Sequence, residues 1–207
     1  MYKINDVKTM MFQISKVVCA QKDYLGELDG RSGDGDLGLS MEAAFHAICE
    51  AAAAYTGEQI SDLLLRAAMS CNKAAPSTMG TLLSSGIMAI AKMCRGKEGV
   101  EDADVAKMPR CFADAIAARG GAKLGDKTIL DALYPMADCV EESFAAGASL
   151  RDAFAAGAQR AKEAAAGTAG MHAATGRAKW LGERAAAYPD GGAVLCGIIA
   201  DAAVQNA

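Results

Sequence analysis

The chain has 207 residues, 52% of them apolar, only 5% aromatic, and a net charge of −4. That length supports one sizeable hydrophobic core. The charge argues against the basic field that nucleic acid needs and against attraction to an anionic membrane surface. Abundant alanine with few aromatics and four prolines favours closely packed helices over sheets. Seven cysteines are scattered without a Cys-x-x-Cys pair, which excludes a disulfide framework or a zinc site and fits free thiols in a reducing compartment. The first residues, Met1-Tyr2-Lys3-Ile4-Asn5-Asp6, form no signal core, and no apolar run is read as long enough for a membrane span. The expectation is a cytoplasmic, soluble protein with a single domain over 1–207.

In chain order, Val7, Met10, Met11, Ile14, Val17 and Val18 recur at helical spacing and predict a first helix from about Asn5 to Glu27. It runs into Leu28-Asp29-Gly30-Arg31-Ser32-Gly33-Asp34-Gly35-Asp36-Leu37-Gly38-Leu39-Ser40. Asp29, Asp34 and Asp36 alternate there with glycines, and glycine-rich backbone can curl carboxylates toward one point. Like charges so close repel unless a cation offsets them. Carboxylate oxygens on a tight loop suit a hard cation such as Mg²⁺. A calcium EF-hand is excluded, because the glutamate it needs at position twelve would fall on Phe45 or Ser40. The bland reading is a solvated acidic turn.

Further helices are expected over about Leu39–Tyr55, stopped at Gly57, and over Ser61–Asn72. Pro76 breaks the chain, and Ser77 and Thr78 cap a helix reaching about Met93. The next helix covers about Ala103–Ala118. Gly120-Gly121-Ala122-Lys123-Leu124-Gly125-Asp126-Lys127 forms a second glycine-rich loop. Helices over about Thr128–Phe144 and Ser149–Ala166 follow, divided at Gly147. After the loops at 167–170 and 176–184, Asp190 is an N-cap for a terminal helix to about Val204. No strand is convincing, so the fold class is all-α. Several glycine-polar loops precede helix starts, where free amides attract anions, so loops gathered at one end could hold a phosphorylated ligand.

These residues resemble a known family, the nucleotide-binding L subunit of dihydroxyacetone (glycerone) kinase, or DAK2 domain. The resemblance covers nearly the whole chain. It rests on Leu28-Asp29 with Gly33-Asp34-Gly35-Asp36 and Gly38. It also rests on Gly125-Asp126-Lys127-Thr128 with Leu130-Asp131-Ala132-Leu133, and on Gly176-Arg177-Ala178, Leu181-Gly182-Glu183-Arg184, Asp190, Gly192 and Ala193. It implies an antiparallel barrel of eight helices with ADP or ATP at one end, the phosphates held through two Mg²⁺ ions. Asp29, Asp34 and Asp36 would be the metal ligands. Leu37, Gly38, Leu39 and Ser40 would lie beside phosphate, and Gly120 and Ile129 would line the nucleotide pocket. Arg177, Asp190, Gly191 and Gly192 match nucleotide-contacting positions.

The triose is expected on a separate K subunit, which holds it covalently and activates the acceptor, so this chain itself carries no catalytic nucleophile or base. A third, phosphotransferase-system M-type subunit would rephosphorylate ADP in place in one version of the enzyme, mildly preferred here. The chain departs from the family at Leu37, commonly His, at Ser40, often Asn, and at Ala74-Ala75-Pro76-Ser77-Thr78, where a glycine run is usual. There Ser77 and Thr78 would offer hydroxyls instead. These changes bear on nucleotide affinity and on the sugar, so a kinase subunit for a related short-chain ketose stays open. So do a non-catalytic regulatory partner of the same fold and a stand-alone Mg²⁺-dependent phosphatase.

Single residues read as follows. His46 is a surface or core histidine. His172 lies beside the proposed nucleotide loops and is a candidate for the pocket. Trp180 is read first as core packing, with a subunit-facing position as its alternative. Lys127 stands at a helix start, where the dipole disfavours a cation, which tips it toward facing phosphate.

Overall fold

The computed structural model describes residues 1–204. Among the described residues every regular element is helical: α1 (Ile4–Ala20), α2 (Lys22–Ser32), α3 (Leu37–Ala54), α4 (Ile60–Ala74), α5 (Thr78–Met93), α6 (Asp102–Val105), α7 (Met108–Gly120), α8 (Leu130–Ala145), α9 (Leu150–Gly167), α10 (Ala178–Leu181), α11 (Glu183–Ala186) and α12 (Gly191–Val204). Their one β-type contact is an isolated bridge between Tyr2 and Val100.

Eight of these helices close into a ring. Packing runs α1–α3–α4–α5–α7–α8–α9–α12 and returns from α12 to α1. Side chains fix the directions. Lys8 Nζ donates to the Tyr55 carbonyl and Ser15 Oγ to that of Phe45, so α1 and α3 run antiparallel. Ser84 Oγ donates to Ala68 O between α4 and α5. Arg110 pairs with Asp138 and Glu141, and Tyr134 with Asp114, between α7 and α8. Lys162 pairs with Asp201 between α9 and α12. Neighbours therefore alternate in direction. The N-termini of α3, α5, α8 and α12 lie at the same end as the C-termini of α1, α4, α7 and α9. The expected antiparallel helical barrel is the fold observed.

Local chemistry explains most of the boundaries. Ser77 and Ser149 cap α5 and α9, accepting the amides of Gly80 and Asp152. Asp190 accepts the amide of Ala193 at 2.8 Å and so caps α12. Gly121, at φ 71°, ends α7 in the left-handed cap that glycine adopts without a Cβ penalty. Three boundaries differ from the sequence reading. The first predicted helix breaks at Gln21 into α1 and α2, and α2 continues through Asp29 to Ser32. The fifth divides into α6 and α7, with Pro109 at the start of α7. Helix α3 ends at Ala54 with Tyr55 extended, so Gly57 is not its cap.

Methyl-sized side chains let the walls approach closely: Ala44, Ala52, Ala67, Ala132, Ala153, Ala161, Ala193 and Ala202 are all fully buried. The axis is left partly open, as an apolar cavity of about 360 Å³ lined by Met11, Phe45, Leu83, Ile87, Phe112 and Met136, among others. Apart from Asp201, helix α12 is apolar on all sides, as a helix wedged into a core must be. Among the described residues, Glu183–Val204, which joins α11 to α12, is the one stretch long and apolar enough to cross a membrane, a length not expected from the sequence. Pro189 and the turn before Gly191 divide it, and α12 packs on α1, α8 and α9. All seven cysteines are free thiols. Burial pushes Cys71 up to about 11 and Cys196 up to about 12, so both stay protonated and inert.

Candidate functional site

The acidic segment folds against α2. Gly26 and Gly30, one turn apart on α2, leave room for the backbone of Gly35, whose φ of 79° suits glycine. Asp29 Oδ2 accepts the amide of Gly35 at 2.9 Å and, more weakly, that of Leu37 at 3.4 Å, which ties the loop back to the helix. Asp29 thus stands on the last turn of α2, not in the loop where the sequence placed it, while Asp34 and Asp36 are on the loop. One carboxylate oxygen from each of the three lies within 4.8 Å of the others. Asp29 is half-buried, and Asp34 and Asp36 are exposed. A set of hard oxygen donors this close, with open sides, fits Mg²⁺ better than a softer ion.

The other predicted residues gather at the same end. Arg177 makes an ion pair with Asp34, joining the 168–190 segment to the acidic loop. Leu37 is buried and begins α3, and a Cβ on Gly191 would lie 2.8 Å from Leu37 Cδ2. A Cβ on Gly192 would lie 2.7 Å from Met79 Cε and 3.3 Å from Ile129 Cβ. The first turns of α3 and α12 therefore touch, as do those of α5, α8 and α12. Leu39 is exposed, Ser40 partly so, Ser77 is occupied as a cap and Thr78 is exposed. Gly120 is the last residue of α7, beside Leu82 of α5. Ile129 is 3% exposed and faces the apolar cavity, so it packs the barrel's upper end.

Four positive helix termini thus ring one end of the barrel, with three carboxylates and one guanidinium at its edge. The aligned dipoles and unpaired first-turn amides favour anions. The carboxylates demand cations. The arrangement is built for a ligand that brings both charges.

The 168–190 segment is held by residues whose role the sequence did not disclose. Lys127 is 2% exposed, at φ 60°. Its ammonium donates to the carbonyls of Ala185 (2.9 Å), Tyr188 (2.8 Å), Met171 (3.1 Å) and Ala186 (3.3 Å). It does not face phosphate; it ties this segment to the start of α8, and burial holds its pKa below the usual lysine value. The signal was its place against the helix dipole, but the acceptors lie 44 to 61 residues further on. Asp131 is equally internal, accepting the amides of Gly125 at 2.6 Å and Thr128 at 2.7 Å. Arg31, within the acidic motif, stacks over the Tyr188 ring at 5.0 Å.

Burial also pushes the Asp190 carboxyl up to about 6. His172 Nε2 lies 3.7 Å from Glu183 Oε1, both exposed. His46 is on the surface. Trp180, read first as core, is 85% exposed on α10, close in sequence to Arg177.

Comparison with known proteins agrees with this architecture. The family model described as the DAK2 domain matches residues 31–205. L-erythrulose kinase of Pectobacterium atrosepticum is 32% identical over 90% of this chain, and D-erythrulose kinase of Mycolicibacterium smegmatis 34% identical over 90%. The chain spans about a third of the length of each, 32% and 33%. The ADP-binding subunit DhaL of the PEP-dependent dihydroxyacetone kinase of Escherichia coli is 29% identical over 86% of this chain, which spans 84% of that subunit. The crystal structure of the dihydroxyacetone kinase from C. freundii in complex with AMP-PNP and Mg²⁺ superposes with a TM-score of 0.73. It covers 97% of this chain, and 34% of its own, at 19% identity. A closed ring of eight helices, an acidic loop at one end and a family match over most of its length together mean that this chain belongs to the DAK2 domain family.

Proposed function

We propose that this chain is the nucleotide-binding part of a kinase for a short-chain ketose, with ADP or ATP bound through two Mg²⁺ ions at the acidic end of the barrel. The observation that carries the reading is the three-carboxylate cluster set against four helix N-termini and Arg177. Asp29, Asp34 and Asp36 would hold the ions, which neutralise phosphate charge when bound. The first-turn amides of α3 at Gly38 and Leu39, and the Asp190-Gly191-Gly192 turn of α12, would receive phosphate oxygens. Arg177 supplies a guanidinium for the same oxygens. Phosphoryl transfer needs charge neutralisation and alignment more than covalent help, so the chain requires no nucleophile of its own.

The acceptor would sit on a separate K-type chain that also activates it. The relatives that this chain spans by only a third are named as kinases, whereas the one of which it spans 84% is named as a subunit. Names among the relatives include both dihydroxyacetone and erythrulose kinases, so the acceptor is a three- or four-carbon ketose. For the donor we favour ADP rephosphorylated in place by an M-type subunit. The free thiols suit the cytoplasm.

Calorimetric titration with ADP is the direct test. Binding is expected with Mg²⁺ and not in its absence. Asp34→Asn should abolish it while leaving the far-ultraviolet circular dichroism of the folded chain unchanged. Equal ADP affinity with and without Mg²⁺ would refute the proposal.

A further inference from the structure

The segment between α9 and α12 leaves the barrel as an arm with a narrow neck. The Gly170 amide donates to the Ala186 carbonyl at 2.7 Å and closes the two ends of the arm on each other. Beyond that neck, residues 172–184 contain α10 and the start of α11, and none of them is buried. Gly170, Gly176 and Gly182 stand at φ of 87°, 68° and 51°, so the chain turns where glycine permits it. Among the described residues, two polar contacts tie the arm itself to the rest of the fold. The Ala174 amide donates to the Asp126 carbonyl at 3.1 Å, and Arg177 pairs with Asp34.

Lys127 grips both sides of the neck. Its ammonium takes the Met171 carbonyl on one side and those of Ala185, Ala186 and Tyr188 on the other. An ammonium has three N–H groups, and four carbonyls at 2.8–3.3 Å engage all of them. These partners are backbone carbonyls and not a carboxylate, so the contact sets the path of the chain more than it balances a charge. The anchor is well placed. Lys127 lies two residues before Ile129, which meets Gly192 at the first turn of α12. Asp131 secures the same corner through the amides of Gly125 and Thr128.

We infer that Lys127 is a positioning residue for phosphate binding: by clamping the neck to the start of α8, it fixes the path of the arm that carries Arg177 to the acidic end. The inference rests on the reading that nucleotide phosphates occupy that end. Arg177 is exposed, and its one ion pair is with Asp34. Asp34 is also a proposed metal ligand, so this tie is not available in the loaded site. The neck then keeps the guanidinium within reach of phosphate. An arginine on a free arm would give up more conformational freedom on binding than one already held in place.

The test is a double-mutant cycle on the full chain, read as Mg²⁺–ADP affinity by calorimetry. Arg177→Gln should weaken binding about tenfold, the scale of one hydrogen bond to a charged group. Lys127→Met keeps the stem without the ammonium and should weaken binding by a similar factor. In the Lys127→Met background, Arg177→Gln should then change affinity by less than about twofold, because the guanidinium is already out of place. Trypsin should also cut after Arg177, Lys179 and Arg184 sooner in Lys127→Met than in the unaltered chain. Lys127→Arg keeps a cation in the neck and should recover part of the affinity; it carries the same cycle if Lys127→Met does not fold. Fully additive losses would overturn the inference, since a residue that only stabilises the fold leaves the effect of Arg177→Gln intact. Unchanged affinity in Lys127→Met, or equal rates of cutting, would overturn it too. If the unaltered chain bound no Mg²⁺–ADP, the reading of the acidic end would fall and this inference with it, whereas additive losses with binding intact would strike this inference alone.

Discussion

At Asp190, one carboxyl caps α12 and carries a displaced pKa. The folded chain holds its proton up to about pH 6, against an ordinary value of 3.8, because burial disfavours the charge. Between those values the native state binds more protons than the unfolded chain. Stability from this group therefore falls as pH rises through the window, and the loss is complete above it. Asp190→Asn keeps a capping oxygen without the charge. It should match the unaltered chain near pH 4 and exceed it near pH 7.5 by on the order of 2 kcal/mol, read from urea midpoints at the two pH values. A gap that does not change with pH would contradict this account. Lys127 shows the complementary case: a buried cation survives because four carbonyls surround it, at the expense of a left-handed backbone.

Helix contacts explain residues that motif reading assigns only to phosphate. A Cβ on Gly38 would run into the Lys22 carbonyl oxygen and stand 2.9 Å from its carbon and 3.0 Å from the Gly26 amide nitrogen. These are backbone atoms and cannot step aside, so glycine is required where α3 starts against α2. Gly38→Ala should push apart the two elements that carry Asp29 and the acidic loop, costing about 1–3 kcal/mol. Calorimetry should show a drop in Tm of several degrees, about 2–4 °C per kcal/mol for a chain of this size. An unchanged Tm would mean that α2 is not packed as described. The spacing of apolar residues announced the long helices because they line one barrel face. It missed the break at Gln21, where no glycine or proline marks a stop and the packing of α2 on α3 redirects the chain. Asp29 consequently reads as a loop residue in the sequence and is a helical one in the fold.

The whole molecule is a closed ring whose last contact joins α12 to α1, elements at opposite ends of the chain. Closure brings α12 beside α3, and so sets the Asp190 turn near the acidic loop. A ligand bound across this end would bridge α3, α5, α8 and α12 and stabilise the entire barrel. Mg²⁺–ADP at about a hundred times its Kd should add about 2.7 kcal/mol to the folded state and raise Tm by several degrees, with no shift when a chelator removes Mg²⁺. A shift of the same size with the chelator present would argue against metal-mediated binding. The exposed Trp180 on α10 would remain at the surface of this end, where an isolated chain gives a large ring no cover.

The sequence by itself determined the helical class, most helix boundaries and the chemical character of the acidic segment. Each of these depends on local spacing, capping or the charge of neighbouring side chains. The tertiary structure alone decided which loops meet, that Lys127 binds carbonyls, that Gly38 serves a helix crossing, and that Trp180 lies outside. Those facts depend on how separate helices and loops pack against one another across the fold, from the α2–α3 crossing at Gly38 to the pairing of Arg177 with Asp34, and no local pattern encodes such contacts.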